Sequence, residues 1–330
     1  MQKPFASLIR VFMSLALIAL ALFLFRDKLP DVVAGLRAAR LWLVLVAILI
    51  FWTAMTINAL KWWILLRAQT KEVPFRALVN YTFVGFFFNN LLPANIGGDL
   101  MRGYGLARYM DRGAVAVASV MLDRLLGLAA YMSVATLASL VTVFLDGHSE
   151  LSVLPVVATI AALSLLLLAA ILLSRRVRRL VERVVKGTFL RRFGRIWDSL
   201  SLAFEVYRSH TKTLLIAFCV GLVGIASTSL LNFVLSESLG GGITLLEAFL
   251  FTPLIAMVLI IPISVGGVGL SQMAYPFFYG LVGIPAAHAF SMSVLMQAVQ
   301  LFCSLPGGVL WIRWRRMPGD EAATPEPSHA

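Results

Sequence analysis

The chain has 330 residues, 60% of them hydrophobic and only 13% charged, with a net charge of +12 and a mean hydropathy of +0.90. Soluble domains are roughly half apolar and a quarter charged, so this composition excludes a disordered chain and a secreted disulfide scaffold and points to a bilayer rather than a soluble enzyme. Cys219 and Cys303 lie inside apolar runs and the four histidines show no ligand spacing, so neither a metal site nor a cofactor is expected.

A spanning helix needs about 20 mainly apolar residues. Six stretches qualify, over 8–25, 41–66, 113–144, 151–173, 213–235 and 286–312. The first starts like a signal peptide, with Lys3 and Arg10 in front, but runs into Phe25-Arg26-Asp27-Lys28 without a small-residue cleavage site, so it reads as a retained helix.

Lys and Arg are held on the cytoplasmic side and fix the orientation. The loop 174–212 carries eleven of them against Glu182, Asp198 and Glu205, and is placed inside. The connections 146–150 and 236–247 hold acids but no Lys or Arg and belong outside. Arg313, Arg315 and Arg316 bring the last helix end inside, followed by a disordered cytoplasmic tail over 318–330. The expectation is a multi-pass protein of the inner (plasma) membrane with both termini cytoplasmic. One connection runs against it, since Arg26, Lys28, Arg37 and Arg40 would lie outside; reversing the first helices would instead expose Lys61, Arg67, Lys71 and Arg76. The basic loop reads as a topology determinant in contact with anionic lipid, and no nucleic-acid module accompanies it. Trp42, Trp52, Trp62, Trp63, Trp311 and Trp314 mostly fall near span ends and read as interfacial anchors.

Two further apolar segments, 75–93 and 246–279, are interrupted by Pro and paired Gly, and the interruptions match. The first reads Leu91-Leu92-Pro93-Ala94-Asn95-Ile96-Gly97-Gly98 and the second Ile260-Ile261-Pro262-Ile263-Ser264-Val265-Gly266-Gly267, an offset of 169 residues between Pro93 and Pro262. The same offset carries 113–144 onto 282–313. Repeat one over 1–144 and repeat two over 151–316 thus form one membrane domain over 1–317. With the orientation above, the repeats are inverted and each broken segment returns to the face it left, as a re-entrant hairpin. The predicted fold class is all-α: a polytopic membrane protein with about six spanning helices and two broken hairpins. Such segments are tolerated at membrane depth only where protein or a water-filled cavity satisfies the backbone, and in inverted repeats they point to a transporter site near the midplane. The plainer alternative is that these Pro and Gly residues kink helices or let them pack closely.

Polar side chains gather at both interruptions: Asn89, Asn90, Asn95, Asp99 and Arg102 at the first, Ser264, Ser271 and Gln272 at the second. A glycine turn feeding a helix points backbone N–H groups at a ligand, which suits phosphate. Gly97, Gly98, Gly266, Gly267 and Gly269 are candidates for that role. Asp123 and Arg124 lie about ten residues into the third span, roughly 15 Å deep at 1.5 Å per residue. A charge at that depth is a functional hypothesis by default. Adjacent helix residues do not face each other, so the expected partners are Arg102 for Asp123 and Asp99 for Arg124. These form either a structural ion-pair network or a site where Arg102 and Arg124 grip an anionic head group. Gln297 and Gln300 in the last span are expected to hydrogen-bond between helices.

Asn90-Leu91-Leu92-Pro93, Gly97-Gly98-Asp99, Arg102, Leu122-Asp123-Arg124, Pro262, Gly266-Gly267 and Gly269 together resemble the lysylphosphatidylglycerol synthase transmembrane-region family, the flippase-like domain, over about 8–316. The resemblance implies translocation of a lipid between leaflets and places weight on Asp99, Arg102, Asp123 and Arg124. In bifunctional members a separate soluble domain performs aminoacyl transfer; only a short tail follows Arg316 here, so that activity is not expected. The function expected is transport of an amphiphile with an anionic head group, a phospholipid or a polyprenyl-phosphate-linked carrier, rather than an enzymatic reaction. The partners are membrane lipids and not nucleic acid, with a homo-oligomer or a synthase partner left open. No Gly-x-x-x-x-Gly-Lys loop occurs to bind ATP. The rival readings are a membrane transferase using Asp99 or Asp123 as base, and a scaffold docking through the basic loop.

Overall fold

A computed structural model describes residues 15–16, 19–20, 22–70, 72–91, 97–110, 113–146, 163, 210–261 and 264–315. Among them every regular element is helical. After a short 3-10 turn at Arg26–Lys28 come α1 (Leu29–Arg37), α2 (Leu41–Arg67), α3 (Phe75–Leu91), α4 (Gly97–Met110) and α5 (Gly113–Asp146), then α6 (Thr211–Ser238), α7 (Leu245–Leu259), α8 (Leu270–Gly280) and α9 (Ala286–Arg315). Among the described residues four helices, α2, α5, α6 and α9, are long and apolar enough to cross a membrane. The expected span 151–173 apart from residue 163, most of 8–25, the loop 174–209, the tail 318–330, and Pro93, Asn95 and Pro262 lie outside the described residues.

The 169-residue offset recurs in the helices. α2, the α3/α4 pair and α5 follow the same order of long, short, short and long as α6, the α7/α8 pair and α9. The packing obeys the same exchange: α3 packs on α9 as α7 packs on α5, α4 on α5 as α8 on α9, and α2 on α3 as α6 on α7. The most extensive contact is between the equivalent helices α2 and α6. They run antiparallel: Arg40 N–H donates to Ser238 O at 2.8 Å at one end, while Ile57 lies against Gly224 and Lys61 against Gly221 further along. An antiparallel pairing of equivalent helices is the relation inverted repeats require, since two such spans enter the bilayer from opposite faces.

The largest core joins α2, α5, α6, α7, α8 and α9 around Phe51, Leu231, Leu250, Phe251, Tyr279 and Met292. Close approach is bought with glycine where α9 meets α3: a Cβ on Gly307 would overlap the Phe83 carbonyl. Farther along, Phe88 and Trp311 pack edge to face at 5.1 Å. The connection 26–40 is more than a loop. Its α1 lies on α9, with Val32 buried against Phe290.

Candidate functional site

The two helical pairs meet at their turns. At the first turn α4 begins on Gly97 and Gly98, both buried. Gly98 N–H donates to Asn89 Oδ1 of α3 at 2.7 Å, which satisfies one of the amides that a helix start leaves open. The approach is close enough that a Cβ on Gly85 would sit 2.8 Å from the Gly98 carbonyl and 2.8 Å from Arg102 Cγ. Small residues here press α4 onto α3 and set Arg102 against Trp62.

The second turn is built differently. Gly266, Gly267 and Gly269 have φ of 58°, 76° and 82°, the left-handed region that side chains avoid. Gly269 N–H donates to Gln272 Oε1 at 2.7 Å, and Gln297 of α9 donates to the Gly266 carbonyl at 3.3 Å, so it bonds to the turn before α8 and not to a neighbouring helix as expected. A Cβ on Gly266 would lie 3.4 Å from Asn90 Cα. The candidate residues Asn90 and Gly266 thus bring the tips of the two hairpins together. Among the described residues Asn90 Nδ2 is buried there without a hydrogen-bond partner.

Both expected ion pairs form. Arg102 Nη2 donates to Asp123 Oδ2 at 2.9 Å, and Arg124 Nη1 donates to Asp99 Oδ2. Arg102 also reaches Asp99 at 3.4 Å, one helical turn away. A fifth charge completes the row. Lys61 of α2 donates to the Asp123 carbonyl at 3.2 Å, and its ammonium lies 3.2 Å from Asp123 Oδ1. The order is Lys61, Asp123, Arg102, Asp99, Arg124, alternating in sign. The side chains of Lys61, Asp123 and Arg102 are 7%, 3% and 9% exposed, whereas Asp99 and Arg124 are 20% and 33% exposed. The row therefore has a sealed end and an open end.

The open end faces a cavity of about 270 Å3 lined by α2, α3, α4, α5 and α6. Asp99, Arg102, Asp123 and Arg124 line it together with Lys61, Asn89 and Thr82. Gly266, Gly267 and Gly269 do not; they stand at the hairpin contact instead. Gly127 of α5 and Gly221 of α6 flank Lys61, each leaving 3.4 Å between a notional Cβ and that side chain. Among the described residues no group of His, Cys, Asp and Glu could hold a metal ion.

Two sequence readings are corrected here. Lys61, grouped with loop cations, is instead buried inside α2. Trp62, read as an interfacial anchor, is fully buried. Its Nε1 donates to Ser119 Oγ at 3.2 Å, and its ring carries the Arg102 guanidinium at 4.2 Å. A lysine six residues from the helix end at Arg67 resembles one that snorkels to the interface, so only its pairing with Asp123 reveals it. The clue available was the WW pair at Trp62-Trp63, of which only Trp63 reaches a helix end, with Arg67 over its ring at 4.5 Å.

The residues 9–307 match the family model described as lysylphosphatidylglycerol synthase TM region. The chain is also 25% identical over 297 residues to a UPF0104 membrane protein of Pyrococcus horikoshii, covering 83% of this chain and 88% of the relative. A UPF0104 membrane protein of Methanothermobacter thermautotrophicus is 25% identical over 313 residues, covering 89% and 90%. With its apolar helices, its matched glycine turns and a family match along most of its length, this chain is a multi-pass membrane protein belonging to the lysylphosphatidylglycerol synthase TM region family.

Proposed function

We propose that this protein translocates an amphiphile with an anionic head group, a phospholipid or a polyprenyl-phosphate-linked lipid, between the leaflets of the inner membrane, with its termini in the cytoplasm. The observation that carries the proposal is the row of five charges opening into a cavity between the helices. An ion pair in an apolar interior costs several kcal/mol per ion in desolvation, by order of magnitude, so a site for stability alone gains little from being left open to a cavity. A half-buried arginine that lines the cavity and is already paired with a carboxylate is a different matter. A phosphate oxygen offers it the same charge-assisted hydrogen bonds, so a head group can take the place of Asp99 without leaving the guanidinium bare. Asp99, Arg102, Asp123 and Arg124 form the binding surface in this reading, and Asn90 with the second glycine turn forms the contact about which the hairpins rearrange. Transport would run passively, down a gradient, or with a partner synthase or second copy.

The test is reconstitution into liposomes with head-group-labelled phosphatidylglycerol. Wild type is expected to speed exchange between leaflets, and Arg124→Gln to abolish it while remaining folded. Equal inactivity of both toward phosphatidylglycerol and a polyprenyl phosphate would reject the reading.

A further inference from the structure

The five charges do not share one task. Arg102 is committed: Asp123 holds it at 2.9 Å, the Trp62 ring lies beneath it at 4.2 Å, and the residue is 7% exposed. Asp123 in turn is gripped from its other side by Lys61, through both its carboxylate and its backbone carbonyl. Gly127 and Gly221 leave the room through which the Lys61 side chain reaches Asp123. A carboxylate between two buried cations stays put, because leaving either would strand a charge in an apolar surrounding. Arg124 and Asp99 are less tightly enclosed, their side chains 33% and 20% exposed where they line the cavity.

We propose that Lys61 is a positioning residue of the site: acting through Asp123 it clamps Arg102 as a fixed wall, so that of the two arginines Arg124 is the one that exchanges its carboxylate for the head group. The inference rests on the head-group reading above and divides its charges into a fixed half and an exchangeable half. Lys61 lines the cavity, but its ammonium is held on Asp123, 3.2 Å from the carboxylate and from the backbone carbonyl. Its effect on binding therefore passes through Asp123.

That dependence gives the test. Binding of phosphatidylglycerol with a spin-labelled acyl chain is followed by electron paramagnetic resonance, with the protein in neutral detergent and labelled phosphatidylcholine as control. Lys61→Met is expected to weaken phosphatidylglycerol binding by about tenfold, the lower end of what losing a residue that orients a ligand-holding neighbour costs, and Lys61→Arg to retain it. In an Asp123→Asn background Lys61→Met is expected to add nothing, because coupled residues are non-additive. If Lys61→Met does not fold, Gly127→Val, which crowds the ammonium without removing its charge, is expected to weaken binding in the same background-dependent way. Additive losses, or wild-type affinity in Lys61→Met, would overturn the clamp and leave the transport reading intact. Wild type that binds phosphatidylglycerol no better than phosphatidylcholine would overturn both.

Discussion

The two hairpins occupy equivalent places in the chain and solve the same packing problem with opposite chemistry. At the first, the 169-residue offset sets Asp99, Arg102, Asp123 and Arg124 against Val268, Ser271, Met292 and Ser293 at the second, and Lys61 against Leu230. The first is ionic and opens to a cavity. Towards its turn the second is neutral and buried: Tyr275 donates to Asn232 Oδ1 at 2.7 Å, Asn232 donates to Thr252 at 3.2 Å, and all three are buried. A duplicated scaffold needs two hairpins to pack, but only one of them needs charge. What the repeat shares is therefore structural, and what one copy holds alone is where function is expected.

Substitution at equivalent positions puts this contrast at risk most directly at Arg102 and Ser271. Arg102→Ala leaves Asp123 buried with half its counter-charge, so a loss of roughly 3–5 kcal/mol is expected. Ser271 Oγ donates to Gln272 Oε1 at 3.0 Å, and Gln272 keeps its bond from the Gly269 amide, so Ser271→Ala should cost only about 1 kcal/mol. Unfolding by denaturant in detergent measures both. Equal losses would mean that the ionic hairpin is no more strongly tied than the neutral one.

The glycines make a finer comparison, because Gly98 and Gly267 are equivalent but needed for different reasons. A Cβ on Gly98 would stand 2.5 Å from Asn89 Oδ1, so Gly98→Ala should force α3 and α4 apart at roughly 1–3 kcal/mol. Gly267 has its nearest neighbour at 3.5 Å but a φ of 76°, and Gly267→Ala should cost about 1–2 kcal/mol through backbone conformation alone. Scrambling separates them further. Gly98→Ala displaces Arg102 and should slow transport, whereas Asn89→Ala together with Gly98→Ala, which removes the nearest side-chain obstruction, should recover part of it.

Much of this was readable from residue order because the relevant physics is local or periodic. The starts at 41, 113 and 286 follow from uninterrupted apolar runs, and those helices begin where expected. The pairing of Arg102 with Asp123 and Arg124 with Asp99 followed from helix geometry, since neighbours on one helix point apart and few opposite charges were in reach. Lys61 was hidden for the converse reason. Its meaning depends on α5 and α6 arriving beside α2, a contact between residues far apart in the chain. The same holds for Trp62, whose burial is set by Ser119 and Arg102 rather than by its place near a helix end. The fold of 26–40 was obscured by its four cations, which mark it as a loop, while its apolar Val32 and Leu36 pack with Phe290.

Within the neutral hairpin the expected effects are small. Tyr275→Phe removes the phenol that donates to Asn232 Oδ1 and leaves that buried oxygen without this donor, at about 1–3 kcal/mol, yet scrambling should continue at the wild-type rate once the protein is folded. A transport defect at Tyr275 would show that the neutral network also lines the path.

The smallest effect is expected where the second hairpin enters. Thr244 Oγ1 accepts from the Glu247 amide at 3.2 Å, and the Glu247 carboxylate accepts from the Thr244 amide at 2.6 Å, closing a capping box at the start of α7. The equivalent positions in the first hairpin are Phe75 and Leu78, which supply no such bonds. Thr244→Ala should cost about 1 kcal/mol. The cap lies fifteen residues of helix from the turn, about 22 Å at 1.5 Å per residue, so a local fraying there should not reach the contact between Asn90 and Gly266. Thermal unfolding should therefore shift slightly with no change in scrambling. A transport loss out of proportion to that shift would mean that α7 moves as one rigid lever, and that the neutral hairpin contributes motion where the ionic one contributes charge.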